Sequence, residues 1–144
     1  MRIVVDTTIL VRATEASHGP ARELLLRIIE DQHTIVLSNE MLFELARVLR
    51  YPRLLQLYGL TENRVYGFIA LLREAAEVVP LSPLLVVPMR DINDIVVAQT
   101  AIVGEADVLC TRDKDFYELD IVRFMHDAGV TILDEIALLQ RLRS

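Results

Sequence analysis

Short apolar runs rich in β-branched residues alternate with stretches of helical periodicity along the chain, and this alternation limits the fold more than any other feature. Runs of this kind predict strands. They are RIVV at 2–5, TIVL at 34–37, EVVP at 77–80, ADVLC at 106–110 and VTIL at 130–133. Because strands separated by helices form a parallel sheet with helices on both faces, we predict an α/β fold.

Start and stop signals for helices stand between these runs. A helix often begins at a capping side chain or at a proline in its first turn, and it often ends at glycine or before proline. The predicted starts are Pro20, Ser38, Thr61, Asp91 or Asn93, and Asp134, and the predicted ends lie before Pro52, near Ala76 and at Gly129. No repeat or long linker interrupts the pattern, so we expect a single domain over residues 1–144.

Composition bears on the association of this domain and on its cellular compartment. Apolar residues make up 53% of the chain, more than a monomer of 144 residues needs, so we expect some of them to meet a second copy. No apolar run is long enough for a membrane span, and the N-terminus reaches Asp6 too soon for a signal peptide. Cys110 is the single cysteine, so no internal disulfide forms. We therefore expect a cytoplasmic protein with no membrane segment.

The balance of charge argues against a nucleic-acid binder of the usual basic kind, because the net charge is −6. Of the 15 basic residues, Lys114 is the only lysine. Arginine suits bidentate contacts to phosphate, but a high arginine content is also ordinary in proteins from GC-rich genomes. The balance of charge therefore does not decide whether the protein binds a nucleic acid.

Four carboxylates suggest a site. Asp6 ends the first predicted strand and Asp113 follows the fourth, and ligand sites of open parallel sheets form outside the carboxyl ends of the strands. Glu44 lies at the margin of the apolar stripe of its helix, and Asp94 lies in the first turn of another. Each alone is better explained as a turn, cap or solvated residue. Together they would repel one another unless they share a divalent cation, and hard oxygen ligands favour Mg²⁺ or Mn²⁺ over zinc.

Four segments resemble the PIN domain nucleases: VVDTTIL, LSNEMLFELARVL, RDINDIVVAQTA and ADVLCTRDKDF, in this order. The resemblance covers essentially the whole chain and is closest to the VapC-like toxin components of type II toxin–antitoxin modules. It implies a three-layer α/β/α sandwich with a central parallel sheet. It also implies a ribonuclease that depends on Mg²⁺ or Mn²⁺ and leaves a 5′-phosphate and a 3′-hydroxyl.

The same resemblance implies which residues act. The acidic positions that would carry catalysis and hold the metal fall on Asp6, Glu44, Asp94 and Asp113, with Asp115 as an auxiliary metal ligand. Two residues after the first aspartate the family often has Asn or Ser. This chain has Thr8 there, and we expect its hydroxyl to orient the first aspartate. In the segment RDIND we take Asp94 as the ligand and Asp91 as the helix cap.

The partners expected from the resemblance are an RNA substrate and a cognate antitoxin protein. Arginines close in sequence to the acidic positions are candidates for holding the RNA backbone, although solvated arginines are common at such positions. They are Arg12, Arg47, Arg50, Arg53 and Arg112. We also expect a homodimer, formed through the helical patterns at 41–57 and 61–76. Apolar residues are dense there at Leu54, Leu55, Leu57, Tyr58 and Leu60.

Other functions are less well supported by the sequence. The main alternative is an inactive PIN-like scaffold that binds a protein partner, and divalent-metal binding distinguishes it from the nuclease. A phosphatase with an aspartate nucleophile usually needs a second aspartate where this chain has Thr8. Nucleophilic and zinc chemistry find no support, because His18, His33 and His126 stand in no recognisable relation to Cys110.

Overall fold

Five parallel strands form one sheet at the centre of the protein. The computed structural model describes residues 1–14 and 19–143, so His18, considered above, lies outside the described residues. The strands are β1 (Arg2–Val5), β2 (Thr34–Leu37), β3 (Ala76–Val78), β4 (Val108–Cys110) and β5 (Thr131–Leu133). Their order across the sheet is β3-β2-β1-β4-β5. All five runs that predicted strands are therefore confirmed, with ends shifted by a few residues.

The position of β1 decides where a site can form. Ile3 pairs with Ile35 of β2 on one side and with Val108 of β4 on the other. The chain leaves β1 to build one half of the sheet and returns to its other side to build the second half. The strand order therefore reverses between β1 and β4, and open α/β sheets bind ligands outside the carboxyl ends of the strands at such a point.

Helices cover both faces of the sheet, as predicted, and produce a three-layer α/β/α sandwich. Within the described ranges they are α1 (Thr7–Arg12), α2 (Pro20–Glu30), α3 (Asn39–Leu49), α4 (Pro52–Leu57), α5 (Glu62–Ala75), α6 (Ile92–Val103), α7 (Leu119–Asp127) and α8 (Glu135–Arg143). A 3-10 turn spans Lys114–Tyr117. Successive residues of β1 point to opposite faces, and Ile3, Val4 and Val5 are all buried, as a sheet covered on both faces requires.

The predicted caps account for four of the eight helix starts in the described ranges. The hydroxyl oxygens of Ser38 and Thr61 accept hydrogen bonds from backbone N–H groups of α3 and α5. The carboxylates of Asp91 and Asp134 do the same for α6 and α8. The sequence did not predict α1 and α4, because six residues are too few to display a helical period. Pro52, expected only to end the preceding helix, is also the first residue of α4.

Two tertiary contacts hold α6, which carries Asp94, against its neighbours. The hydroxyl groups of Thr100 in α6 and Ser38 at the start of α3 are 2.8 Å apart and buried. At the end of α6, a Cβ atom on Gly104 would lie 2.3 Å from Cγ1 of Val36. Only glycine allows α6 to approach β2 this closely, and the approach fixes where its acidic first turn lies.

The apolar cluster expected at a dimer contact is mostly used within the monomer. Leu54, Leu55, Tyr58 and Leu60 are partly buried against the core, while Leu57 is exposed. Two other large side chains on the same group of helices are exposed, Phe43 of α3 and Tyr66 of α5. Among the described residues no helix combines the length and apolarity needed to cross a membrane.

Candidate active site at the carboxyl edge of the sheet

Acidic side chains gather where β1 and β4 end. Asp6 follows β1 directly, and its backbone N–H donates to the carbonyl oxygen of Cys110, the last residue of β4 (2.9 Å). Asp113 lies three residues beyond Cys110 and caps the 3-10 turn by accepting from the backbone N–H of Asp115 (2.9 Å). Asp94 reaches the same edge from the first turn of α6. One carboxylate oxygen each of Asp94, Asp113 and Asp115 lie within 4.8 Å of one another.

Asp6 is buried and held by a hydroxyl that the sequence analysis did not single out. The Oγ1 of Thr111 donates to Oδ2 of Asp6 (2.7 Å) and also accepts from the backbone N–H of Asp113 (3.0 Å). Burial raises the pKa of Asp6, while the bond from Thr111 and the backbone N–H of Thr8 act in the opposite direction. Thr8 thus meets Asp6 through its backbone; the hydroxyl role expected of it is performed by Thr111.

Asp94 is the most perturbed carboxyl group of the site. Its side chain is 9% exposed. Burial, followed by the negative charge of nearby Asp113, raises the pKa of Asp94 to about 7. Removing the proton from Asp94 therefore costs free energy unless a positive charge enters the site. Asp91 has the cap role predicted for it and contributes further negative charge.

Glu44 joins the same concavity from the side of α3. A cleft of about 200 Å³ is lined by carboxylate-bearing residues Asp6, Glu44, Asp94 and Asp113 together with Asp91 and Asn93. Arg47, half exposed, donates to both carboxylate oxygens of Glu44 (3.0 and 2.6 Å). The structure thus brings the four predicted carboxylates to one cleft, and Glu44 alone among them has a cationic partner within the described residues.

A larger concavity of about 430 Å³ adjoins the acidic cleft and shares Asp94 with it. Met89 and Ile121 form apolar parts of its wall, and Arg90 and Glu118 supply opposite charges. Neither of these charged side chains has an ion-pair partner in the described part of the chain. The carboxylates therefore open onto a space large enough for a small organic group.

The five arginines expected near the site fall into three groups. Arg47 pairs with Glu44, and Arg50 pairs with Glu62 on the surface. Arg12 and Arg112 both contact Glu135. Arg53 makes no ion pair with any described residue. No local sequence pattern places Glu135 at this edge, since its partners lie far away along the chain.

The donors at this edge fit a hard divalent cation. Asp94, Asp113 and Asp115 offer oxygen ligands only, which favours Mg²⁺ or Mn²⁺. The raised pKa of Asp94 indicates local negative charge that a cation would offset. Cys110 does not compete as a nucleophile, because it is fully buried and burial raises the pKa of its thiol far above neutrality.

Comparison with known proteins agrees with this architecture. The sequence model of the PIN domain matches residues 3–122. A chain in the crystal structure of VapBC2 from Rickettsia felis, bound to a DNA fragment from their promoter, superposes with a TM-score of 0.60. The two chains share 16% identity over 93% of this chain and 98% of that one. No curated protein matches the sequence. The family match spans most of the chain, and the protein therefore belongs to the PIN domain family.

Proposed function

We propose that the protein is a metal-dependent endoribonuclease whose active site is the acidic cleft at the ends of β1 and β4. The observation that carries the proposal is the group formed by Asp94, Asp113 and Asp115, whose oxygens lie within 4.8 Å of one another. PIN domains are generally metal-dependent nucleases, which supports the same assignment. In this proposal Asp6, Glu44, Asp94 and Asp113 are catalytic, and together with Asp115 they hold Mg²⁺ or Mn²⁺.

Each carboxylate has a role that follows from its surroundings. Asp94, Asp113 and Asp115 offer the nearest oxygens to a cation, and Asp94 must lose its proton when one binds. Asp6, which lines the cleft, is kept in one orientation by Thr111 on Oδ2 and by Thr7 on Oδ1. Glu44 is held at the opposite wall by Arg47. When bound, the cation would supply Lewis-acid stabilisation of phosphate charge and a more acidic water for hydrolysis of the phosphodiester bond.

RNA is the proposed substrate, and hydrolysis would leave a 5′-phosphate and a 3′-hydroxyl. A protein of net charge −6 repels a polyanion at long range, so local positive charge must come from the cation and from arginines. The concavity beside Asp94 supports a single-stranded substrate, because its apolar wall can receive an unpaired base.

We further propose that the protein is the toxin of a toxin–antitoxin pair and acts in the cytoplasm. Its support is the likeness to a chain of the VapBC2 complex. A groove beside the cleft fits the apolar face of an antitoxin helix, since Phe43, Val96 and Val97 line it and it shares Glu44 with the cleft. A basic residue of the antitoxin, most simply arginine, would then meet the carboxylates in place of the metal.

Homodimer formation is proposed through α3–α5. Tyr66 is 72% exposed and Leu57 is 67% exposed, so this group of helices presents apolar surface that association would bury. Light scattering at micromolar concentration should give twice the monomer mass of 16.4 kDa. Particles of monomer mass alone would contradict the dimer.

The nuclease proposal is tested by incubating purified protein with single-stranded RNA in EDTA, Mg²⁺ or Mn²⁺. We expect cleavage with either metal, none in EDTA, and none from Asp94→Asn. Asp107→Asn is the matched control, because Asp107 lies at the amino end of β4 and accepts from the backbone N–H of Arg2 (2.8 Å). Metal binding without cleavage of any RNA would defeat the nuclease assignment. If neither metal binding nor RNA cleavage is detected, the inactive scaffold that binds a protein partner is favoured.

A further inference from the structure

One carboxylate at the edge of the sheet is surrounded by positive charge. Glu135, the first residue of α8, is 2% exposed. Its two oxygens accept from the terminal nitrogens of Arg12 (2.9 and 3.0 Å), and Oε1 also lies 3.2 Å from Nε of Arg112. One guanidinium suffices to neutralise a buried carboxylate. The second arginine therefore leaves this cluster, Arg12–Glu135–Arg112, with a surplus positive charge.

The arginines of the cluster keep unused hydrogen-bond donors that face solvent. Arg12 uses one N–H of each terminal nitrogen, and Arg112 presents only its Nε. A guanidinium carries more N–H donors than these contacts use, and no other described group accepts from either one. The side chains of Arg12 and Arg112 are 37% and 54% exposed. The buried carboxylate thus fixes the guanidinium plane of Arg12 through two hydrogen bonds and holds Arg112 nearby through one ion-pair contact, and neither arginine has another acceptor among the described residues.

The cluster lies at the same edge of the sheet as the acidic cleft, on residues that follow β1, β4 and β5. Arg12 ends α1, the short helix that begins directly after Asp6. Arg112 stands between Thr111, which holds Asp6, and Asp113. Glu135 follows β5, which pairs with β4. Asp134, the residue before Glu135, adds a negative charge close to Arg112, so the feature that a second anion would recognise is the set of unused guanidinium donors and not the net charge of this edge.

We propose that Arg12 and Arg112, oriented by Glu135, form a phosphate-binding site for a backbone phosphate of the substrate strand beside the scissile one. This inference rests on the proposed nuclease function and deepens it, because it names two of the chain's arginines as the contacts to single-stranded RNA. Fixed guanidiniums bind phosphate through paired charge-assisted hydrogen bonds, and their fixed orientation would set which phosphate enters the acidic cleft.

The test measures RNA binding separately from cleavage. In an Asp94→Asn background, which lowers repulsion in the cleft, anisotropy of a short labelled single-stranded RNA is followed in EDTA at several salt concentrations. Adding Arg112→Ala or Arg12→Ala should weaken binding about tenfold near 50 mM salt and reduce the slope of log affinity against log salt by about 0.7. Arg112→Lys should keep the salt dependence of the Asp94→Asn protein, because the charge is kept. It should recover only part of that protein's affinity, because lysine lacks the fork geometry.

The control is Arg2→Ala, which removes an arginine paired with a glutamate (Glu77) at the opposite edge of the sheet and should leave RNA binding unchanged. Arg112→Ala should fold, since Arg12 still neutralises Glu135, and a thermal melt checks this. The proposal is overturned if the Asp94→Asn protein does not bind the RNA, or if adding Arg112→Ala changes RNA binding no more than adding Arg2→Ala. Failure of the otherwise unmodified protein to cleave RNA with Mg²⁺ would instead defeat the nuclease function and leave binding through Arg112 standing.

Discussion

Two groups of charged side chains lie at the same edge of the sheet and are built in opposite ways. At Glu135, one buried carboxylate meets two guanidiniums. Around Asp94, carboxylates face one another, and the pKa of Asp94 is raised to about 7. The first group neutralises its buried carboxylate, with one guanidinium more than neutrality needs, and stabilises the fold. The second leaves charge uncompensated, which lowers stability and reserves the site for a cation.

Substitutions can test the two groups one at a time. The largest expected effect comes from the acidic group and is on cell growth. Expression of the protein in a bacterial host should slow growth, and Asp6→Asn or Asp94→Asn should restore it. We expect more than about a 100-fold loss of cleavage from either change, because even residues behind the metal ligands typically contribute 10–100-fold. Asp107→Asn should remain toxic. Equal toxicity of the Asn variants at matched expression would refute the assignment of Asp6 and Asp94.

The second largest expected effect is a loss of folding stability when Glu135, the compensated carboxylate, is replaced. Glu135→Ala should lower the free energy of unfolding by about 2–3 kcal/mol. This is less than the loss for a fully buried pair, because Arg12 and Arg112 can partly turn to water. Urea denaturation measures the change. Glu62→Ala breaks the exposed pair with Arg50 and should lower the free energy of unfolding much less than Glu135→Ala, because solvent screens the pair. Equal small losses would show that Glu135 is not a stabilising centre.

Binding of a divalent cation to the uncompensated carboxylates around Asp94 should stabilise the folded protein by a smaller amount than Glu135 does. With a dissociation constant of about 1 mM, about 10 mM Mg²⁺ adds roughly 1.4 kcal/mol to the free energy of unfolding. The melting temperature of the wild-type protein should then rise by about 3–6 °C. Asp94→Asn should keep its fold and lose most of this shift, whereas Asp107→Asn should retain it. If neither Mg²⁺ nor Mn²⁺ raises the melting temperature, the carboxylates are not a metal site.

The smallest expected effect is a pH dependence of the metal-free protein. The pKa of Asp94 is raised from 3.8 to about 7, so the folded state holds a proton that the unfolded chain releases. Stability from this group is therefore present below pH 4 and is lost as pH rises toward 7. Asp94→Asn lacks this slope. We expect it to gain about 1 kcal/mol on the wild type between about pH 5.5 and 8, less than for an isolated group because Asp113 shares the titration.

Chemical denaturation in EDTA at several pH values follows this difference. At pH 8 the Asn variant should be at least as stable as the wild type, since it removes one of the repelling charges. A wild type that becomes more stable than Asp94→Asn as pH rises would contradict the raised pKa. Such a result would mean that the carboxylates do not crowd one another without metal.

Local patterns predicted the elements and the acidic residues well. The caps at Ser38, Thr61, Asp91 and Asp134 were readable because a capping side chain acts within three residues of its own position. Asp6, Asp94 and Asp113 could be placed at one edge because each follows a strand or opens a helix, and Glu44 because it lies at the margin of an apolar stripe. By contrast, α1 and α4 were too short for a period, and the bend of Arg47 toward Glu44 was not foreseen.

The sequence by itself therefore determined which segments are strands and helices and which acids stand at the ends of strands, because periodicity and capping are local. Only the tertiary structure decided what those acids touch. Thr111 meets Asp6 across 105 residues, and Arg12 meets Glu135 across 123, because the order β3-β2-β1-β4-β5 places β4 beside β1 and β5 beside β4. Contacts between residues this far apart depend on strand order, which no local pattern encodes. The contrast between the compensated Glu135 and the uncompensated Asp94 arises from that order.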